Sequence, residues 1–235
     1  MTPTELTLRP ADAGDADTMA DLHVDSREAN VPSMPPMVHD RTTTRRWMHG
    51  RLEGASSGWL AEEDGVAVGY AVLTGDWLDD LFLAPAATGR GVGAALLDVV
   101  KAERPGGFCL WVFESNAGAR RFYARHGLVE LETTDGHANE EGAPDVRLAW
   151  PGRDPVSFFR RLIDEVDDEL GDLLARRAAL TRATQPHEVD PSRDPDRERD
   201  IVARLARRAP SLGEERVARI MHAVITESLG AAEDD

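Results

Sequence analysis

Three glycines, Gly89, Gly91 and Gly93, alternate between an apolar run and a stretch of helix-forming residues. Glycine at a strand-to-helix turn lets successive backbone N–H groups converge on one anion, and the helix N-terminus adds partial positive charge there. This spacing predicts a cradle for the phosphates of a cofactor, although glycine is also common in a purely structural turn. The predicted cradle consists of Thr88, Gly89, Arg90, Gly91, Val92 and Gly93.

Two familiar phosphate-binding motifs are excluded by the residues around this turn. No Gly-Lys-Ser/Thr ending is present, so the turn is not a nucleotide P-loop. The turn also lacks the G-x-G-x-x-G pattern with an acidic residue about twenty positions later, which argues against a dinucleotide-binding fold.

A second informative segment, ESNAGARRFYARHGL, follows the apolar run Phe108–Phe113. Together with the glycine turn, it resembles the cofactor-binding core of the GNAT superfamily of acyl-CoA-dependent N-acyltransferases. That family's helix pattern, Asn-x-x-Ala-x-x-Phe-Tyr-x-x-x-Gly-Phe, is matched by Asn116, Ala119, Phe122, Tyr123, Gly127 and Leu128. Thr88 stands where the family usually has Gln or Arg, which weakens one phosphate contact but not the backbone cradle.

The resemblance implies acetyl-CoA as the cofactor and direct attack of an amine on its thioester. The backbone of Leu81, Phe82 and Leu83 is then expected to pair with the pantetheine arm, and one N–H there to polarise the thioester carbonyl. Asn116 is expected to hydrogen-bond the cofactor arm. Tyr123 is expected to protonate the leaving thiolate, unless it is only a packed core tyrosine.

Three carboxylates are candidates for the general base that accepts the amine proton. Asp79, Asp80 and Glu114 lie at the ends of the two strands expected to splay around the cofactor, and each could equally be an ordinary solvated carboxylate. With the acidic segment Asp135–Asp145, Asp79 and Asp80 indicate a small cationic amine as acceptor, unless the acidity serves only solubility. The Pro- and Met-rich segment Ala29–His39 resembles the substrate lid of this fold.

Composition limits the remaining function classes. The 235 residues include 43 acidic and 27 basic side chains, and the formal charge of −16 argues against a nucleic-acid partner. The single cysteine, Cys109, lies in an apolar run and is expected to be a buried thiol in a cytoplasmic protein. No signal peptide, membrane span or metal site is predicted.

The character of the sequence changes near residue 150. Strand-like and helical runs alternate before this point, whereas three helical patterns follow it. We therefore predict an α/β domain over residues 1–150 with the GNAT fold, a mixed central sheet with splayed strands. A linker at 151–155 and an all-α domain of three helices at 156–235 are expected to follow.

The first of these helices carries an apolar heptad seam with one arginine, Arg177, at a core position. That arginine could set the register, extend to solvent or bind a carboxylate between helices. The apolar members of the seam are Val156, Phe159, Ile163, Val166, Leu170, Leu173 and Leu180. A continuous seam of this kind requires a partner helix.

Residues 159 to 228 resemble the all-helical class of chorismate mutases, which bind the chorismate dianion and work as homodimers. The resemblance assigns the site residues Arg160, Arg177, Asp194, Arg197, Glu198 and Ser228. Of these, Arg160 is implied to reach into the partner subunit's site. Asp194 is also expected to cap the second helix, before Pro195.

The helical domain departs from the mutase pattern at two places. It has no lysine, because the family's lysine position falls on Glu188 or Gln185, and the family's late glutamine or glutamate falls on Ala232. Arg182 or Arg193 would have to replace a missing donor to the ether oxygen. We therefore expect weak or altered conversion of chorismate to prephenate. The alternatives are a domain that only dimerises or senses a dicarboxylate, a fully active bifunctional enzyme, and a pair of non-enzymatic sensors.

Overall fold

The computed structural model describes residues 5–54, 56–187 and 194–233. The chain divides into two compact units, Met1–Phe159 and Arg160–Asp235. The domain limits drawn from the sequence, 1–150 and 156–235 with a linker between them, stay predictions. Glu188 and Arg193 lie outside the described residues.

A seven-stranded mixed sheet forms the first unit. Its strands are β1 (Leu6–Pro10), β2 (Ser57–Glu63), β3 (Val66–Thr74), β4 (Trp77–Leu83), β5 (Phe108–Phe113), β6 (Val129–Thr134) and β7 (Asp145–Trp150). The spatial order is β1-β2-β3-β4-β5-β7-β6, and only β4 and β5 run parallel. The residues of β6, VELETT, are largely exposed and carry little apolar signal, so this strand is not predicted from the sequence.

Four helices belong wholly to this unit: α1 (Ala16–Ala29), α2 (Arg41–Glu53), α3 (Val92–Glu103) and α4 (Ala117–Arg125). One apolar cluster packs α3 and Tyr123 of α4 against the sheet, and a second packs α1 and α2 around Tyr70 and Val72. Because both faces of β3 and β4 are covered, residues of β4 contribute to both clusters.

The parallel ladder between β4 and β5 contains a single residue pair, Trp77 with Cys109, among the described residues. Beyond that pair the described parts of the two strands form no further ladder, and the unpaired stretch between their carboxyl ends is called the opening. This agrees with the splayed strands implied by the sequence resemblance.

A β-bulge at Asp79 changes which way β4 presents its side chains. Val72 pairs with Asp80 and Leu73 pairs with Leu78, so Asp79 is the extra residue. Leu78 therefore belongs to the α3 cluster, whereas Phe82 packs with the α1–α2 cluster. The bulge turns Asp80 toward α1 and α2. Strict alternation along β4 would have placed Asp80 on the other face of the sheet, with Leu78.

The helices that follow are α5 (Pro155–Thr184), α6 (Pro195–Arg208) and α7 (Gly213–Glu233), and the described residues after 150 include no strand. Phe158, in the first turn of α5, is 1% exposed within the first unit. Further along α5 the apolar seam is exposed, with Ile163 at 57% and Leu173 at 60%. None of the helices in the described part of the chain is long and apolar enough to cross a membrane.

Candidate active site

The glycine turn leads directly into α3. Gly89 and Gly91 have φ values of 79° and 92°, a region that favours glycine, and Gly91 is the N-cap of α3. A Cβ atom added at either would have no neighbour within 4 Å, so backbone conformation and not crowding selects glycine there. The first N–H groups of a helix lack carbonyl partners within it, so the turn presents several donors on one side.

The other members of the predicted cradle make contacts of their own. A Cβ added at Gly93 would lie 3.3 Å from Leu83 and 3.5 Å from Phe122, so this glycine permits close packing of α3. Arg90 Nη1 lies 2.9 Å from Glu63 Oε2, and the Thr88 N–H donates to the Pro85 carbonyl at 3.4 Å. Val92 is buried beneath the turn.

One edge of β4 is paired and the other faces the opening. Leu81, Phe82 and Leu83 pair with Ala71, Tyr70 and Gly69 of β3. On the side of β5, the described ladder ends at Trp77. An extended ligand arm can therefore lie along β4 in the position of a missing strand.

Asp80 lies at the centre of a buried polar cluster on the α1–α2 face. Its carboxyl is 6% exposed, Oδ2 has no hydrogen-bond partner, and Arg51 Nε lies 3.9 Å away. Burial raises the pKa of Asp80 to about 7, an effect that the Arg51 charge opposes. The side chain can therefore both hold and release a proton near neutral pH.

His23 of α1 completes this cluster. Its Nδ1 is 2.8 Å from the Tyr70 hydroxyl and 4.0 Å from Asp80 Oδ1. Burial, followed by the charges of Arg27 and Arg51, lowers the pKa of His23 to about 4. His23 is therefore neutral near pH 7, and it does not form an ion pair with Asp80.

The other two carboxylates predicted as bases have different surroundings. Asp79 forms an ion pair with Arg51 Nη2. Glu114 is exposed after β5, and its backbone carbonyl accepts from Arg120. Of the three candidates, Asp80 alone is buried beside the opening.

Tyr123 and Asn116 lie on α4. Tyr123 is 7% exposed, and burial followed by the charge of Asp80 raises its pKa, so the phenol keeps its proton. The effect of Asp80 on Tyr123 means that these two groups lie within electrostatic reach of each other. Asn116 Oδ1 accepts from the Ala119 N–H at 3.0 Å and caps α4, which leaves its Nδ2 group to donate to a cofactor.

The predicted lid and the acidic segment contact each other. His39 Nε2 lies 2.8 Å from Glu140 Oε2, and Arg27 Nη2 donates to Glu141 Oε1 at 2.7 Å. Ser115, after β5, donates to the Ser33 carbonyl at 2.8 Å. Two carboxylates of the acidic segment are thus paired with basic side chains of α1 and the lid.

In the helical unit, two predicted site residues share a partner. Arg177 Nη1 donates to the Val224 carbonyl at 3.2 Å, and Ser228 Oγ donates to the same oxygen at 2.6 Å. Burial and the positive charge of Arg197 lower the pKa of Arg177, so two cationic groups lie near each other. An anion between them would relieve this repulsion.

The remaining predicted mutase residues are distributed along the helices. Asp194 Oδ1 accepts from the N–H groups of Asp196 and Arg197, which confirms its role as the cap of α6. Glu198 borders a cavity of about 590 Å³ between α6 and α7. Arg160 is exposed, and its contribution to a partner subunit stays a prediction.

Comparison with known families identifies both units. Residues 18–128 match the acetyltransferase (GNAT) family, and residues 159–232 match chorismate mutase type II. The chain joins a GNAT acetyltransferase domain to a chorismate mutase type II domain. These matches include the glycine turn, the α4 helix and the arginines of α5 and α6.

N-acetyltransferases of other organisms match the GNAT domain in sequence. The peptidyl-lysine N-acetyltransferase YiaC of Escherichia coli is 33% identical over 96 residues, which are 40% of this chain and 62% of that protein. The match thus spans less than two thirds of this relative. An uncharacterized N-acetyltransferase of Archaeoglobus fulgidus is 28% identical over 143 residues, 54% of this chain and 96% of its own length.

Solved structures share the fold of the GNAT domain. A GCN5-related N-acetyltransferase from Rhodopseudomonas palustris has a TM-score of 0.53 at 24% identity, covering 64% of this chain and 98% of its own. Apo-YjaB from Escherichia coli has a TM-score of 0.52 at 23% identity, and the match covers 63% of this chain and 99% of YjaB. The protein yncA of Salmonella typhimurium was solved with its cofactor acetyl-CoA. It has a TM-score of 0.51 at 18% identity, and the match covers 64% of this chain and 96% of yncA.

Four polar residues around Asp80 are not predicted from the sequence: His23, Arg27, Arg51 and Tyr70. His23 and Arg27 are four residues apart on α1, so they share one helix face, and that face also carries the buried Met19 and Ala20. Polar side chains on an otherwise apolar face were the available signal. In the described part of the chain, no group of three or more His, Cys, Asp or Glu side chains is arranged to hold a metal ion.

Proposed function

We propose that the GNAT domain transfers an acetyl group from acetyl-CoA to the nitrogen of an amine, with Asp80 as the general base. The observation that carries this proposal is the buried Asp80 carboxyl, with its unpartnered Oδ2 and a pKa of about 7, beside the opening between β4 and β5. A base with a pKa near the working pH combines availability with proton affinity.

The residues around the opening fit acetyl-CoA. The glycine turn supplies backbone donors for the pyrophosphate, and the free edge of β4 supplies groups for the pantetheine arm. A fold neighbour, yncA, was solved with this cofactor. Bound acetyl-CoA supplies a thioester whose carbonyl carbon bonds to the amine nitrogen as its C–S bond breaks.

Two side chains then account for the protons. Asp80 accepts the proton that the nitrogen loses, and neutral His23 beside it adds no competing positive charge. Tyr123, whose raised pKa keeps the phenol protonated, donates its proton to the leaving sulfur. The two residues return to their starting states by exchanging protons with water. Glu114 and Asp79 are less suited to act as the base, because Glu114 is exposed and Asp79 forms an ion pair with Arg51.

A panel of primary amines, with free thiol release as the readout, tests this function. We expect amine-dependent release of CoA, which Asp80→Asn lowers by about 10²- to 10⁴-fold. Asp98→Asn, which removes an exposed carboxylate from α3, is the matched control and is expected to retain activity. The panel includes a lysine peptide, because the relative YiaC acts on peptidyl-lysine. Absence of amine-dependent release across the panel would refute the proposal.

For the chorismate mutase domain, we propose a homodimer that binds chorismate or a related dicarboxylate and converts chorismate to prephenate weakly. The proximity of Arg177 to Arg197 supports anion binding. The exposed apolar stripe of α5, which includes Ile163 and Leu173, supports pairing with a second copy. The missing lysine removes a donor to the ether oxygen, and such a loss slows catalysis about 10²- to 10³-fold.

Chorismate turnover separates the alternatives for this domain. Prephenate formation within a few fold of an ordinary mutase would refute weak activity and favour a fully bifunctional enzyme. Chorismate binding without turnover would favour sensing, and dimerisation without binding would favour a purely structural role. Sedimentation at micromolar concentration is expected to give a dimer, and a monomer would contradict this part of the proposal.

A further inference from the structure

Arg27 is a buried cation that the proposed acetyl transfer does not use. It lies on α1 and is 7% exposed. Its Nη2 donates to Glu141 Oε1 at 2.7 Å and to the Pro35 carbonyl at 3.2 Å, and its guanidinium lies 5.3 Å from the centre of the Phe113 ring. Its Nε is buried without a hydrogen-bond partner. Such a group is costly to bury unless a ligand completes its contacts.

Arg27 and Asp80 both lie near His23 of α1. Arg27 lies one helical turn after His23 on the same face of α1, and His23 is 4.0 Å from Asp80. The charge of Arg27 also lowers the pKa of Asp80 against the effect of burial, which requires the two groups to be near each other. A cation and a proton acceptor therefore lie on either side of His23.

Glu141, from the segment between β6 and β7, supplies the carboxylate that now contacts Arg27. This segment is also tied to the lid through Glu140 and the exposed His39. An arginine binds any carboxylate by the same paired geometry, so the Glu141 side chain occupies the place that a carboxylate of the acceptor would take.

Resting on the proposed acetyl transfer, we infer that the acceptor is an amino acid or a similar amine with a neighbouring carboxylate, which Arg27 binds in place of Glu141. Its amine then faces Asp80. An amine without a carboxylate has no group to exchange for Glu141, so Arg27 stays paired with Glu141 as Arg51 stays paired with Asp79. A zwitterion brings a carboxylate that replaces that of Glu141 at Arg27, and it adds no net charge.

Matched pairs of acceptors test this inference: phenylalanine against phenethylamine, and leucine against isoamylamine. We expect kcat/KM to be about 10²-fold higher for each amino acid, because only the amino acid supplies a carboxylate for Arg27 to bind. Arg27→Met is expected to bring the ratio close to one. Arg45→Met, which removes an exposed ion-paired arginine of α2, is the control and is expected to keep the ratio.

Glu141→Gln gives an independent result if Arg27→Met fails to fold. Removing the competing carboxylate is expected to lower KM for the amino acids and not for the amines without a carboxylate. If the Arg27–Glu141 pair is purely structural, Glu141→Gln would instead lower the melting temperature and leave the ratio of kcat/KM between matched acceptors unchanged. Equal use of both acceptors by the wild-type chain, or a ratio that no variant moves, would overturn the inference and leave acetyl transfer standing. Failure of every amine would refute both.

Discussion

Replacing Asp80 by Asn is expected to stabilise the GNAT domain at neutral pH while slowing acetyl transfer about 10²- to 10⁴-fold. The carboxyl is 6% exposed, and burial raises its pKa to about 7. Between pH 4 and 7 the folded protein therefore keeps a proton on Asp80 that the unfolded chain has released. Stability from this group is present below the unfolded pKa and is lost as the pH rises through the folded one.

The size of the effect follows from the two pKa values. The ordinary aspartate value of 3.8 and the folded value of about 7 differ by roughly three pH units. Each unit corresponds to about 1.4 kcal/mol. The stability of the wild-type protein relative to Asp80→Asn should therefore fall by about 4 kcal/mol across this range and then level off.

Urea unfolding followed by tryptophan fluorescence measures this difference for the GNAT domain alone. All five tryptophans, at positions 47, 59, 77, 111 and 150, lie in the first unit, so the signal does not include the helical domain. Asp98→Asn controls for the loss of one negative charge from the same domain.

The decisive comparison is the difference between the two unfolding free energies at pH 5, 6, 7 and 8. We expect Asp80→Asn to gain on the wild-type protein at each step up to about pH 7. A difference that stays constant over this range would mean that Asp80 is not held protonated by burial, and the assignment of the base would lose its physical support.

Three further substitutions test other parts of the account. Tyr123→Phe is expected to lower kcat by about 10²- to 10⁴-fold with little change in acetyl-CoA affinity by calorimetry, and unchanged turnover at all pH values would exclude it as the acid. Gly91→Ala places a side chain at φ 92°, a strain of about 1–2 kcal/mol, and is expected to weaken acetyl-CoA binding; unaltered affinity would argue against the cradle. Leu173→Asp on the exposed stripe of α5 is expected to convert a dimer to monomers in sedimentation, and a persistent dimer would place the interface elsewhere.

Much of the GNAT fold could be predicted from the sequence because its elements have strong local signals. Apolar runs mark β3, β4 and β5, and alternating glycines mark the start of α3. The strand β6 could not be predicted, because its exposed residues form no apolar run. In the helical domain, the Asp194-Pro195 pair correctly predicted the start of α6.

The composition of the active site was harder to predict because it depends on long-range packing. The bulge at Asp79 determines that Asp80 faces α1, and nothing local in the run of two aspartates indicates which carboxyl is buried. Likewise, Arg27 meets Glu141 across 114 residues of chain. The acidic segment looked like an attractant for a cationic amine, but two of its carboxylates are paired within the protein.

The pH dependence of kcat/KM for acetyl-CoA at saturating amine reports directly on whether Asp80 is the base in the proposed acetylation of an amine. We expect the rate to rise through an apparent pKa of about 7 in the wild-type protein and in Asp98→Asn. In Asp80→Asn this rise should be absent from the residual activity. A wild-type profile without a rise near pH 7, or one that Asp80→Asn retains, would contradict the account.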